Sequence, residues 1–179
     1  EVEGRRKGLL NRDDQGDYWW ELRDCDYYPE FEKEKIVWQR VTQQPKFALV
    51  PKGFYCEATT HFITTEQKYH KFLLGIFNST FFKFTFYKFY MGGGIEGEIK
   101  GEFIGRFPIP PITPQNQHIV KDIESLVNQI LSLTQSDEDS ESSQKEARVK
   151  ELEKQINQII YQLYDLNEEE IKIIEGKFL

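Results

Sequence analysis

Apolar residues recur along this chain with two periods, and the change from one to the other predicts its layout. Residues 35–41 read KIVWQRV, placing Val37, Gln39 and Val41 on one face and Ile36, Trp38 and Arg40 on the other, the alternation of a sheet strand. Residues 18–22 (YWWEL), 47–50 (FALV) and 54–63, after a turn at Pro51, Lys52 and Gly53, extend the series and predict a small mixed or antiparallel sheet. Residues 1–16 read as a loosely held leading segment, and residues 24–34, acidic and broken by Pro29, as loop. From Glu66 the period lengthens. Tyr69, Phe72, Leu73, Ile76, Phe77, Phe81 and Phe84 fall at helical spacing, with Thr64 or Thr65 as the expected N-cap. After Asn78 and Ser79 aromatic residues occupy most faces, which predicts burial on several sides and leaves open whether this is one helix or two. Residues 99–109 read as one more extended segment before Pro108, Pro110 and Pro111 prohibit regular structure.

Beyond Thr113 two amphipathic stripes follow. Ile119, Ile123, Leu126, Val127, Ile130 and Leu131 form one; Val149, Leu152, Ile156, Ile159, Ile160 and Leu163 form the other. The charged, serine-rich run QSDEDSESSQ (residues 135–144) separates them as a solvated loop. A short last helix over 167–175 is expected to start at Asn167, with Glu168, Glu169 and Glu170 at its positive end. The expected class is α+β. Residues 1–112 would form a sheet with packed helices, and residues 113–179 an antiparallel helical pair.

Charge sharpens this division. Residues 1–112 carry 16 Lys/Arg and 16 Asp/Glu, whereas residues 113–179 carry 7 and 14, so the whole net charge of −7 lies in the helical part. A neutral N-terminal part can still turn a basic face to phosphate. Between Glu66 and Glu96 there is no acid at all, only Lys68, Lys71, Lys83, Lys88 and His70. With 179 residues, 39% of them hydrophobic and 15% aromatic, the chain can build a real core. No apolar run approaches the roughly 18 residues of a membrane span. The first residue is Glu1 and the only methionine is Met91, as expected of a piece of a longer protein. Cys25 and Cys56 form no paired spacing, which suits a reducing cytoplasm.

Catalytic signatures are missing. The run Gly92, Gly93, Gly94 lacks the Lys and Ser/Thr or helix start of a phosphate cradle and reads as a turn. Cys25, Cys56, His61 and His70 lack metal-ligand spacing and read as separate side chains. Glu98-Ile99-Lys100, with Glu96 nearby, matches the carboxylate-x-lysine end of some nuclease sites, although a strand-entry turn is the better reading. What remains is Lys and Arg interleaved with aromatic residues, as at Trp38/Arg40, Lys46/Phe47, Lys52/Tyr55 and Lys83/Tyr87/Lys88. That mixture suits nucleic acid, since cations neutralise phosphates while aromatic and amide groups meet bases. Solvated lysines edging a sheet core would look the same.

These residues together resemble a family. KIVWQRV, PKFALVPKGFYCEATTHFIT, KFLLGIFNSTFFKFTF, IKGEFIGRFPIPPI, the helix start QNQHIVKDIESLVNQIL and the ending IIYQLYDLNEEEIKIIEG resemble the target-recognition domain of adenine-specific DNA methyltransferases. The group most similar is the TaqI-like C-terminal specificity domain of fused restriction-modification enzymes, and type I specificity subunits share a similar PIPP-to-Gln junction. The resemblance spans about residues 18–176. It implies a cytoplasmic, non-catalytic reader of double-stranded DNA in a restriction-modification or phage-defence system, serving an N-terminal adenine-N6 methyltransferase domain of the same chain. That partner domain would hold S-adenosylmethionine; no cofactor is expected in this segment. Domains of this kind vary most where they touch bases, so no base-reading residue carries over from the family. By residue type, Lys46, Lys52, Lys83, Lys88, Lys100 and Arg106 are expected at backbone phosphates. Arg40, Gln43, Gln44, Thr59, Thr60 and His61 are expected in the groove. The alternative is a protein-interaction module that docks a partner subunit through the helical pair.

Overall fold

The computed structural model describes residues 27–42, 44–90, 98–135 and 142–176, with the isolated positions 8, 10 and 18. All but the first residue of the expected strand at 18–22, the glycine run at 92–94, Cys25, Glu96 and most of the acidic loop lie outside these residues, as does Gln43.

Among the described residues three strands form one antiparallel sheet: β1 (Lys35–Gln39), β2 (Phe47–Val50) and β3 (Thr60–Ile63), in the order β2-β1-β3. The register sets Lys35 opposite Val50 and Trp38 opposite Phe47 on one side of β1, and Ile36 opposite Ile63 and Gln39 opposite Thr60 on the other. Cross-strand partners share a face. Ile36, Trp38 and Phe47 belong to the main core, with Leu49 and Ile63 packed against it. The opposite face is covered by a short helix α1 (Tyr28–Phe31), whose Phe31 lies 5.0 Å from Phe62 and stacks 4.9 Å from Tyr55. Under that cover Lys35 is wholly buried, donating to the carbonyls of Phe31 and Lys33 at 2.9 Å and of Pro51 at 3.5 Å.

The aromatic run becomes a 3₁₀ turn (Gln67–Tyr69) followed by α2 (His70–Asn78) and α3 (Thr80–Thr85), then a π-helical turn (Phe86–Tyr90). The break falls at Ser79, whose hydroxyl accepts from the Phe82 N–H as the N-cap of α3. Neither Thr64 nor Thr65 caps the first turn, contrary to expectation: Glu66 precedes it without a side-chain cap. Thr64 Oγ1 donates instead to the Glu30 carboxylate, and the Thr65 carbonyl meets His70 Nε2 at 3.1 Å.

Three further expectations are corrected. Residues 99–109 are not extended throughout, because α4 (Gly101–Arg106) intervenes and buries Ile104; Phe107, the extended residue that ends it, is buried as well. Pro29 does not prevent helix α1, since it stands in the first turn, where a missing N–H removes no helical bond. The segment expected as strand from 54 to 63 is strand only over its last four residues.

The helical pair is α5 (Gln117–Gln135) and α6 (Ser142–Leu163), followed by α7 (Glu168–Glu175), where Asn167 and Glu170 complete a reciprocal capping box. Its stripe is covered within the chain. Val120, Ile123, Val127, Ile156 and Ile160 join the sheet and α2 in one cluster. The proline segment cannot satisfy its own carbonyls by regular structure, and the tail does so: Tyr164 Oη donates to the Pro108 carbonyl at 2.8 Å and Asn116 Nδ2 to that of Pro111 at 2.9 Å.

Candidate nucleic-acid interface

Strand polarity decides which basic and amide residues can meet. Past Gln39 the chain of β1 continues as Arg40, whose N–H donates to the Thr59 carbonyl at 2.9 Å and whose carbonyl accepts the Ile99 N–H at 2.7 Å. Val41 forms an isolated antiparallel bridge with Glu98. Three chain segments therefore close on this end of the sheet. The segment at 98–100 is anchored from below, because the buried Trp38 Nε1 donates to the Ile99 carbonyl at 3.0 Å. Trp38 also lies 5.8 Å from the ring of His61, its cross-strand partner.

Arg40 Nε donates to Glu98 Oε1 at 2.5 Å, and Lys100 Nζ stands 3.7 Å from Glu98 Oε2. The Arg40 guanidinium, with Lys100 further off, holds the Glu98 carboxyl below the usual carboxylate range. Beside them a cavity of about 500 Å³ is lined by Gln39, Arg40, Val41, Ala58 and Thr59. Gln44 is carried on a turn closed by Thr42, whose hydroxyl donates to the Gln44 carbonyl at 2.9 Å and accepts its N–H at 3.1 Å.

Arg40, Gln44, Thr59, Thr60, His61 and Lys100 thus gather at one end of the sheet, and exposed Lys46 follows Gln44 at the start of β2. Lys52 does not join them. Val50 is paired with Lys35, so the turn after it lies at the opposite end of β1, roughly 13 Å away at ~3.3 Å per residue. Lys88 is exposed on the π-helical turn, and Arg106 is exposed in the last turn of α4. Lys83 lines a groove of about 490 Å³ between β2, α2 and the helical pair, shared with Lys46 and Glu153. At Lys83 the acid-free helical run is therefore covered by the acidic pair, whereas Lys68 and Lys88 stay exposed. In the sequence Glu98 stands out only through the Glu98-Ile99-Lys100 triplet, which assigns it no part in recognition.

Burial pushes the Lys83 amine down, with Glu153 opposing and Lys46 adding to the shift. Folding therefore favours the neutral amine, and the penalty on the ammonium form is relieved as pH rises towards the amine's ordinary value. Lys83→Met, which keeps the aliphatic stem, is expected to leave stability unchanged or raise it by no more than about 1 kcal/mol, because the amine still reaches water. The difference from wild type, read from urea midpoints, should shrink at alkaline pH.

Among the described residues no three His, Cys, Asp or Glu side chains gather as metal ligands. The Glu98 carboxylate is occupied by two cations, an arrangement suited to holding a guanidinium in place. Cys56 is a half-buried free thiol that burial pushes up. No described helix is long and apolar enough to cross a membrane.

Comparison with curated proteins returns no match. A family model described as the TaqI-like C-terminal specificity domain matches residues 7–109, which include the sheet, α2 to α4 and every residue of the basic sheet end. With more than half its length matched, the chain belongs to the family of TaqI-like C-terminal specificity domains, and its role is DNA recognition in restriction and modification.

Proposed function

We propose that this chain reads a short sequence in double-stranded DNA and directs an adenine-N6 methyltransferase carried N-terminally in the same polypeptide, in a cytoplasmic system that defends against phage. The observation that carries this reading is that Arg40, Gln44, Thr59, Thr60 and His61 all lie at one end of the sheet, Thr60 and His61 on its two faces, within a specificity domain. Their amide, hydroxyl, imidazole and guanidinium groups suit base edges in the major groove, while Lys46 and Lys100 flank them as phosphate contacts. Residues 1–112 then act as the reader and residues 113–179 as a brace. Catalysis and S-adenosylmethionine binding belong to the methyltransferase domain.

Docking of a partner subunit through the helical pair is less well supported. The apolar stripe that would do the docking already packs on α2 and the sheet. The test is a chimera of the parent polypeptide in which residues 18–112 are replaced by the corresponding segment of a relative with another specificity. Methylation is expected to move to the relative's sequence. Methylation that stays at the original sequence would show that this segment does not read DNA.

A further inference from the structure

We propose that Glu98 is a positioning residue that sets the base preference of the sheet end by presenting Arg40 to a guanine. The inference rests on the reading of this end as the DNA-facing one. Arg40 has its backbone fixed on both sides, by the Thr59 carbonyl and the Ile99 N–H. Its long side chain would still sample many rotamers if unpaired. Glu98 removes that freedom by taking Nε, the inner corner of the guanidinium, at 2.5 Å. The outer edge, with its two terminal nitrogens, makes no hydrogen bond among the described residues. That edge is the fork that matches N7 and O6 of guanine in the major groove.

Stability gives no reason for the pair. The side chains are 49% and 32% exposed, and ion pairs so placed contribute little to folding. A carboxylate facing DNA would also repel phosphate, unless cations cover it and its orienting effect outweighs the repulsion. Here Arg40 and Lys100 both cover it, leaving the triad with a net positive charge. Its support is rigid, since Glu98 is bridged to Val41 and the next residue is tied to the buried Trp38 indole.

The experiment selects bound duplexes from a randomised library with the full chain and its Arg40→Lys and Glu98→Gln variants, and measures the salt dependence of binding for each. The wild-type chain is expected to enrich guanine at one position. Arg40→Lys keeps the charge but loses the fork, and should lose preference at that position by roughly 5- to 150-fold. Glu98→Gln keeps the shape but loses the anion that fixes Nε. It should relax the same position and no other, with the slope of log affinity against log salt unchanged. Urea midpoints should match wild type throughout, which separates positioning from folding. Stronger binding of Glu98→Gln to every duplex alike, with base preference intact, would overturn the inference and leave Glu98 only a repelling charge. Relaxation at a G·C pair other than the one that Arg40→Lys relaxes would overturn it too, since Glu98 would then read that pair's cytosine itself. A selected sequence untouched by Arg40→Lys refutes this inference alone, whereas a wild-type chain that selects no sequence refutes the DNA reading beneath it.

Discussion

Asn78→Ala is expected to lower the unfolding free energy by about 2–4 kcal/mol, read from urea denaturation, an effect large for one exchanged amide. Asn78 ends α2 beside the outer edge of β2. Its Oδ1 accepts the Phe47 N–H at 3.0 Å, and its Nδ2 donates to the Phe47 carbonyl at 3.0 Å and to the Leu74 carbonyl at 3.1 Å. The side chain thus makes to Phe47 the two hydrogen bonds that a residue of a neighbouring strand would make. The Phe47 ring is buried against Trp38, Phe77 and Phe82, which keeps its backbone groups fixed at the groove wall when the amide is gone. Each stranded group then costs about 1–3 kcal/mol. Asn78→Asp is informative because it keeps the acceptor but turns a carboxylate oxygen towards two carbonyls. It should be no better than alanine at neutral pH. A variant as stable as wild type would mean that β2 is held by its pairing with β1 alone.

Much of the fold was legible because its long elements repeat their periods often enough to be seen. β1, α2, α5 and α6 each show their pattern in the placement of Ile, Val, Leu and Phe. Short helices do not. α4 spans under two turns and lies next to Phe107 and three prolines, so its Ile104 to Phe107 spacing was read as part of an extended stretch. The candidate site was legible in residue type and not in arrangement. Arg40 and Thr59 could be expected together only once β1 and β3 were known to be neighbours in antiparallel register. Lys52 looks equivalent to Lys46 in sequence, yet strand direction puts the two at opposite ends of the sheet. Lys83 faces Glu153 because of which helix packs on α3, a fact that no local pattern contains. Glu98 is 58 residues from Arg40 along the chain, so nothing nearby announces their pairing.

Gly75→Leu is expected to remove more than about 3 kcal/mol of stability, because it wedges the helical pair away from the helix it covers. Glycine inside a helix normally costs about 1 kcal/mol relative to alanine, so an exposed site would gain from substitution. At Gly75 the sign reverses. A Cβ there would stand 2.6 Å from Ile123 Cγ2 and 3.3 Å from Val127 Cγ2, and both methyls branch at Cβ and have little room to turn. Gly75→Ala therefore combines about 1–3 kcal/mol of overpacking with a gain of about 1 kcal/mol in propensity, for a net loss of up to about 2 kcal/mol. Ile123→Leu moves the branch one carbon outward and takes away the clashing methyl. In a double-mutant cycle it should recover part of the loss in Gly75→Ala while costing up to about 1.5 kcal/mol alone. The glycine lets α5 approach α2, and α2 carries the Asn78 amide that fixes β2 beside β1. Loosening this contact should lower the fraction of folded, DNA-competent chain without altering which sequence the folded chain selects. A Gly75→Leu chain with wild-type stability would mean that the helical pair does not rest on α2, and would sever the brace from the reader.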